Sequence, residues 1–303
     1  MAIGDSFEVA VGGVDGVSYV DTGMYDTAEY GAVYVVEGDE PAIVDSGIGT
    51  NHEAVLNGLA ERGIAPEDLR TIALTHVHLD HAGGAGYLAD ACPNADVVVH
   101  EQGARHLVDP SRLVAGTKQA VGDQWEFYAD PKPVPEGRIR EISGGDTVGL
   151  GDRELRAHHT PGHAPHQVVF ELADESVVFT ADAAGIYVPG RDSVRQTTPP
   201  PNFDLEGCLA DLRTVLDCDP AVLCYAHFGP ATADDRVREY ADTLSEWVGA
   251  VAEKRDELGD DDAVVEYFGD HTSMTDVWGD RKAAAEERMN TRGVLTYLDR
   301  REE

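Results

Sequence analysis

The sequence predicts a mixed α/β fold. Two observations carry this prediction: short apolar β-type runs alternate with helical patterns over the first two thirds of the chain, and no internal repeat or low-complexity linker interrupts them. The chain has 303 residues, of which 42% are hydrophobic. That is enough apolar material for one large core, with or without a helical appendage.

The predicted strands are short and apolar, and most of them end in a polar residue. Central strands that deliver side chains to the edge of a sheet have this pattern. The candidate strands are 31–36, 42–44, 71–74, 96–99, 155–158, 167–172, 177–179 and 221–225.

Helical patterns are predicted over 51–62, from Gly83 onward and over 102–108. Prolines break the segment 109–135, which we interpret as a partly helical insertion that lines a binding site or covers the surface. After Ala231 the pattern becomes helical, with Thr232 and Asp235 as the predicted cap. The predicted apolar stripe of that helix is Val237, Tyr240, Leu244, Trp247, Val248 and Val251. Residues 261–303 show weaker helical order.

The charge of the chain is strongly acidic, with 57 Asp and Glu against 23 Lys and Arg and a formal net charge of -34. The acidic residues are scattered rather than clustered, which indicates a solvated shell on a globular body. Self-repulsion of this size destabilises a compact state, and molar salt screens it by shortening the Debye length to about 3 Å. We therefore expect a halophilic protein, whose thermal midpoint rises between low and molar KCl.

The four cysteines, Cys92, Cys208, Cys218 and Cys224, show no C-x-x-C spacing. Neither a zinc ribbon nor a disulfide framework is predicted. The opening residues lack a basic segment followed by an apolar run, and no stretch approaches the roughly 20 apolar residues that span a bilayer. These features predict a cytoplasmic protein that does not enter the membrane.

The decisive segment is Thr75-His76-Val77-His78-Leu79-Asp80-His81, an H-x-H-x-D-H pattern that follows an apolar strand. Alternation at the strand end lets His76 and His78 point the same way, and the next turn can bring Asp80 and His81 to a second position nearby. Imidazole and carboxylate groups together suit zinc, iron or manganese. A polar loop of satisfied histidines is an improbable alternative for so many ligand-type residues.

Three further residues supply groups that a two-metal site still lacks. His163 ends the sharp turn His159-Thr160-Pro161-Gly162-His163, Asp182 ends the apolar run that begins at Val177, and His227 follows the run that ends at Tyr225. A single histidine after a strand is more often structural than a ligand. Together and in this order, the three residues are strong evidence for a metal site.

These segments resemble the ordered motifs of the metallo-β-lactamase superfamily, with Asp45 in Ala42-Ile43-Val44-Asp45-Ser46-Gly47 resembling the first of them. The resemblance implies a four-layer αββα sandwich over residues 1–259, with a C-terminal helical extension over 260–303. It also implies two divalent metal ions. By this resemblance, one ion would be held by His76, His78 and His163, and the other by Asp80, His81 and His227. Asp182 would bridge the two ions, and Asp45 would orient a ligand histidine.

Within this superfamily, Asp182 disfavours a true β-lactamase, and His78 stands where diiron flavoproteins carry Glu. The favoured class is a glyoxalase II-like hydrolase that cleaves a small thioester, ester or lactone with a metal-bridging hydroxide held by Asp80. The segment Ala164-Pro165-His166 departs from the glutathione-specific pattern, and the basic residues near Lys254 and Lys282 do not match its glutathione clamp. The native metal is expected to be zinc, with iron or manganese as alternatives.

The alternative class is a compact nuclease, for which a patch of Arg138, Arg140, Arg153 and Arg156 would be the nucleic-acid surface. The net charge opposes it. A structural metal site without catalysis is the third interpretation. The expected partner is a small-molecule substrate, and a homodimer is possible. His158 and His166 are left out of the metal set, and the segment Pro199 to Phe203 is either part of the pocket or a surface loop.

Overall fold

A computed structural model describes residues 2–302 of the protein. Its first sheet contains seven strands in chain order. The first four strands pair antiparallel and the last four pair parallel, because helices connect the later strands. The strands are β1 (Ser6–Glu8), β2 (Val17–Asp21), β3 (Ala32–Val36), β4 (Ala42–Val44), β5 (Thr71–Ala73), β6 (Asp96–His100) and β7 (Ile139–Ile142).

The second sheet contains six strands and reverses the chain order, from β15 through β14, β11, β10 and β9 to β8. Only β11 and β14 pair parallel in it. Its strands are β8 (Thr147–Gly149), β9 (Glu154–His159), β10 (Val168–Leu172), β11 (Val177–Ala181), β14 (Val222–Tyr225) and β15 (Gly229–Thr232). A separate hairpin pairs β12 (Ile186–Val188) with β13 (Ser193–Arg195).

Nine α-helices within residues 2–302 surround the sheets or connect their strands. The first five lie in the half of the chain that builds the seven-stranded sheet, and the last four follow β13. They are α1 (His52–Glu61), α2 (Leu79–Ala82), α3 (Ala85–Ala91), α4 (Glu101–Val108), α5 (Ser111–Val121), α6 (Leu205–Asp217), α7 (Arg236–Leu258), α8 (Asp261–Asp270) and α9 (Thr275–Glu302).

Three apolar clusters divide the molecule into four layers. Tyr34, Phe170 and Phe179 belong to the cluster between the two sheets. Leu59 of α1 belongs to a second cluster on the outer face of the seven-stranded sheet, and Leu244 of α7 belongs to a third on the outer face of the six-stranded sheet. Burial of both faces of each sheet explains why the central strands have nearly continuous apolar sequences. The predicted αββα sandwich with a C-terminal helical region is confirmed.

Every predicted strand is present, with ends shifted by at most two residues. The sequence did not predict β1, β2, β7, β8, β12, β13 or β15, because these strands are short or carry polar residues that weaken the pattern. It also missed α6, although Asp204 caps this helix by accepting a hydrogen bond from the Gly207 amide. The predicted Thr232 cap of α7 is wrong, since Thr232 ends β15 and Asp235 takes the N-cap position without a side-chain hydrogen bond.

The C-terminal segment is more regular than its sequence predicts. Helix α9 runs for 28 residues and is interrupted only at Gly279, whose φ of 74° is outside the helical region. Val264 of α8 and Tyr297 of α9 share the apolar cluster of α7. The division of the chain after Gly259 therefore stays a prediction, with extensive packing across it. Within the described residues, no helix is both long and apolar enough to cross a membrane.

Candidate metal centre

The candidate site lies where strands of both sheets end at the same edge of the sandwich. The turn after β5 and the short helix α2 carry the H-x-H-x-D-H residues. The turn between β9 and β10 carries His163, β11 is followed directly by Asp182, and His227 comes two residues after β14. The structure thus brings together side chains that are up to 151 positions apart, from His76 to His227.

His76, His78 and His163, here called the three-histidine group, converge on one point. The His163 Nε2 atom lies 3.0 Å from His78 Nδ1, and the ring centroids of His76 and His78 are 4.6 Å apart. Asp182 joins this group, because its Oδ2 atom lies 3.1 Å from His163 Nε2. One potential ligand atom from each of these four residues lies within 4.8 Å of all the others.

Asp80, His81 and His227, here called the Asp80 group, converge on an adjacent point, again with ligand atoms within 4.8 Å of one another. The Asp80 Oδ2 atom lies 3.7 Å from His227 Nε2 and 3.9 Å from His81 Nε2. The other oxygen of Asp182, Oδ1, lies 3.3 Å from His81 Nε2. Asp182 therefore presents one oxygen to each group, as a bridging carboxylate requires.

The donor atoms fit divalent cations. His76 Nε2, His81 Nε2 and Asp182 Oδ1 are buried and have no hydrogen-bond partner among the described residues. Leaving such atoms unpaired costs free energy, which a bound cation would recover. Imidazole nitrogens with carboxylate oxygens, and no thiolate, are ligands that zinc, iron and manganese accept.

Hydrogen bonds behind the Asp80 group fix the orientation of its two imidazoles. His81 Nδ1–H donates to Asp45 Oδ2 over 2.9 Å, and His227 Nδ1–H donates to the Tyr30 carbonyl over 2.9 Å. Each bond places a proton on Nδ1 and turns Nε2 toward the site. Asp45 is fixed in turn by the amide and the hydroxyl of Thr75, both at 2.8 Å.

The positions of two carboxylates of the site depend on residues other than glycine that adopt left-handed backbone conformations. Asp45 has a φ of 64°, and Ala181, directly before Asp182, has a φ of 48°. The pairing of β11 with β14 shifts register between Phe179 and Ala181, as at a β-bulge. Because such φ values cost roughly 1–2 kcal/mol outside glycine, the surrounding fold must hold both residues in place.

The electrostatics differ between the two groups. Burial and the neighbouring histidines lower the pKa of His76 well below its usual value, and burial and His163 lower the pKa of His78 to about 4. Burial also lowers the pKa of His163. Neutral imidazoles with free lone pairs are therefore present at neutral pH, as metal ligation requires.

At the Asp80 group, nearby carboxylates outweigh the effect of burial on the pKa of a histidine. Burial would lower the pKa of His81, but Asp182, Asp80 and Asp45 outweigh it and raise that pKa well above its usual value. Burial would raise the pKa of Asp182 and of Asp80, but the histidines outweigh it and lower both. Without a cation, positive charge on His81 compensates the buried carboxylates; a bound cation would take over that compensation.

A cavity of about 580 Å³ opens above the two groups. Asp80 and Asp182 lie at its floor together with His78 and His227. Its walls include α5 from the predicted 109–135 insertion, the segment Pro199 to Asn202, and Met289 of α9. The insertion and the proline segment, which the sequence left open between pocket and surface, therefore line the cavity, whereas Phe203 is buried in the core.

The sequence missed several residues of this cavity. Tyr25, Tyr30 and Tyr128 lie on its wall with Arg105 and Arg112. Isolated tyrosines and exposed helical arginines give no sequence signal by themselves. His166 lines the cavity, and its ring centroid lies 5.7 Å from that of His78. His158 Nε2–H donates to Glu171 Oε2 over 2.7 Å, away from the cavity.

The basic residues that the sequence considered bind other residues of the chain. Lys282 is buried and binds Glu286 over 2.6 Å, and Lys254 binds Glu257. Among the described residues that line the cavity, none is one of the four arginines of the predicted nucleic-acid patch. Those arginines contact backbone carbonyls or acidic side chains: Arg138 with Ala95, Arg140 with Thr147, Arg153 with Glu175 and Arg156 with Glu154.

Two known proteins are similar in sequence to this chain. The metallo-beta-lactamase fold-containing protein ST1585 of Sulfurisphaera tokodaii is 27% identical over 219 residues, 71% of this chain and 78% of that protein. The human acyl-coenzyme A thioesterase MBLAC2 is 27% identical over 194 residues, 55% of this chain and 63% of that protein.

Solved structures share the fold. A crystal structure of ST1585 from Sulfolobus tokodaii aligns with a TM-score of 0.71 and 23% identity, covering 92% of this chain and 98% of that one. The metallo-beta-lactamase family protein TTHA1429 from Thermus thermophilus aligns with a TM-score of 0.64 and 25% identity, covering 90% of this chain and 89% of that one. Residues 26–227 match the family described as the metallo-beta-lactamase superfamily, and the chain belongs to that superfamily.

Proposed function

We propose that this metallo-β-lactamase-fold hydrolase binds two zinc ions and cleaves a thioester, ester or lactone of small-molecule size. The observation that carries the proposal is Asp182, whose two carboxylate oxygens face two different ligand groups at the floor of one cavity. A single structural ion would need only one group. An open cavity above both groups admits a substrate, which a closed structural site does not.

Bound divalent ions would supply a hydroxide nucleophile near neutral pH and polarise the scissile carbonyl. The chain's own residues then orient the reaction. Asp80 lines the cavity and is only partly buried, so its carboxylate can accept a hydrogen bond from the attacking water. Its lowered pKa keeps it ionised and able to accept that bond at neutral pH. Asp45 and the Tyr30 carbonyl hold His81 and His227 in position.

Two observations favour an acyl substrate over a phosphodiester. The cavity walls combine aromatic and aliphatic side chains such as Tyr128, Leu113 and Met289, which suit an acyl group. MBLAC2 is described as an acyl-coenzyme A thioesterase, which supports thioester cleavage here. The arginine patch that the sequence predicted for a nuclease lies outside the cavity.

The proposal is tested on protein purified without chelators. We expect about two zinc ions per chain by metal analysis, and hydrolysis of short acyl thioesters that chelation abolishes and zinc restores. A panel of ester, lactone and phosphodiester substrates should separate the classes. A metal-loaded protein that cleaves phosphodiesters but no acyl compound would overturn the proposal, as would a metal content near zero.

A further inference from the structure

We infer that Arg105 and Arg112 form a binding site for an oxyanion, a phosphate or carboxylate group, on the substrate of this cavity. The inference rests on the proposed acyl hydrolase function and specifies its substrate class further. The substrate would be an acyl thioester or ester that carries an anionic group several bonds away from the scissile carbonyl.

The first observation is that these two guanidinium groups are unpaired in a chain rich in acids. Arg62, Arg255 and Arg288 show the usual arrangement, each with a carboxylate oxygen between 2.8 and 3.0 Å away. Arg105 and Arg112 form no ion pair with any carboxylate of residues 2–302. Other arginines without a carboxylate partner in the described part of the chain, such as Arg138 and Arg213, lie outside the cavity, whereas Arg105 and Arg112 both line it.

Both arginines line the cavity, Arg105 from α4 and Arg112 from α5. Glu101 is the acidic side chain at the same rim, one helical turn before Arg105, and it makes no ion pair with either arginine among the described residues. The rim therefore keeps a net positive charge. Elsewhere the net charge of -34 repels anions, so an anionic substrate needs such a local cationic patch.

His106 is close to both arginines and fixes one of them. Arg105 Nε–H donates to His106 Nε2 over 3.2 Å. Burial, Arg105 and Arg112 all lower the pKa of His106, which keeps its ring neutral and able to accept this bond. With Nε held, the two terminal nitrogens of Arg105 remain free for a bidentate contact with phosphate or carboxylate oxygens.

The distance of this rim from the metal ligands sets the position of the anion. The His106 ring centroid lies 6.5 Å from that of His166, which lies 5.7 Å from that of His78. His166 thus lies next to both His106, which binds Arg105, and His78 of the three-histidine group. Leu113 and Val121 line the same wall, so an extended substrate could place its anion at the rim and its carbonyl at the floor.

The test compares two thioesters with the same acyl group: acetyl-coenzyme A, which carries phosphates, and acetyl-N-acetylcysteamine, which is uncharged. Arg105→Gln and Arg112→Gln should each reduce the preference for the phosphorylated substrate, measured as the ratio of kcat/KM values, by about tenfold. The loss should appear in KM rather than kcat. Arg213→Gln is the matched control, because Arg213 is exposed on α6, has no acidic partner among the described residues and does not line the cavity.

Binding is measured separately, so that the result does not depend on turnover. Calorimetric titration with desulfo-coenzyme A, which lacks the thiol, should give a Kd that rises about tenfold or more in the Arg105→Gln/Arg112→Gln protein. An unchanged Kd or an unchanged substrate ratio in that protein would overturn the oxyanion site while leaving the thioesterase proposal intact. Normal arginine-dependent binding without cleavage of any thioester, ester or lactone would contradict the proposed function instead.

Discussion

The two ligand groups of the site are held in different ways. In the Asp80 group, His81 and His227 each donate through Nδ1 to a residue far away in the sequence, Asp45 and Tyr30. In the three-histidine group, His163 Nδ1 has no hydrogen-bond partner among residues 2–302. The pKa of His81 is raised by carboxylates, whereas burial lowers the pKa of His163.

This difference shows which contacts position the ligands of each group. The three-histidine group is built from neutral imidazoles, of which His76 has the hydroxyl of its neighbour Thr75 3.2 Å from Nδ1. The Asp80 group is built around buried carboxylates and needs supporting hydrogen bonds from the residue after β4 and from the segment before β3. A change in a supporting residue should therefore affect the Asp80 group first. Four substitutions can break or sharpen this contrast between the groups.

The largest effect is expected from Asp182→Asn, because Asp182 is the residue that both groups share. Replacing one carboxylate oxygen by an amide removes charge from both groups, so the bound metal should fall below two per chain and kcat should fall by about 10³-fold or more. Asp217→Asn, an exposed substitution on α6, is the control. Two tightly bound ions and normal kcat in Asp182→Asn would show that the groups are independent.

Asp80→Ala separates the two groups. The three-histidine group keeps all its ligands, so one metal ion should remain bound, while kcat should fall by about 10²-fold. Metal analysis and steady-state kinetics measure the two results. Asp90→Ala removes an exposed carboxylate that pairs with Lys132 and should change neither. Turnover near that of the wild type in Asp80→Ala would eliminate the two-metal mechanism.

Asp45→Asn tests the support of the Asp80 group. The substitution keeps the size of the side chain but weakens its hold on His81 Nδ1–H, so the affinity for the second metal ion should fall by about 10- to 100-fold. Affinity at the three-histidine group should fall less, because Asp45 reaches His76 through the Thr75 hydroxyl rather than directly. Competition titrations with a chelator distinguish the two constants, and an equal loss at both groups would contradict the comparison.

The smallest effect on the site is expected from Asp211→Asn, behind the three-histidine group. Asp211 Oδ2 accepts a hydrogen bond from the Gly162 amide over 2.6 Å, next to His163, and burial raises the pKa of Asp211 to about 7. Its ordinary pKa is 3.8. A raised folded pKa means that its contribution to stability is complete below about pH 4 and is lost as the pH rises through about 7.

Asparagine cannot ionise and still offers an oxygen to Gly162. Between about pH 4 and pH 7, the unfolding free energy should therefore decrease less in the Asp211→Asn protein than in the wild type, by up to about 4 kcal/mol. The metal content should be unchanged. Asp217→Asn on the same helix is the control, and denaturant titrations at several pH values give the slopes. A wild-type slope in Asp211→Asn would show that Asp211 does not carry this pH dependence.

The sequence by itself predicted the fold class and the ligand-type residues. Central strands buried on both faces are continuously apolar, so β4 and β14 were visible from the sequence. His76, His78, Asp80 and His81 fall within six positions, so local geometry already brings them together. His163 and His227 follow strands, which predicts a shared edge.

Only the tertiary structure decided the contacts that join distant segments. The bond from His227 to Tyr30 spans 197 positions, and the bond from Tyr30 to Glu286 on α9 spans 256. Neither has a local pattern, because a carbonyl or an isolated tyrosine looks the same in any sequence. The same holds for the arginine rim. In the sequence, Arg105 and Arg112 are two helical arginines without a motif. The packing of α4 and α5 beside the cavity brings both to the same opening.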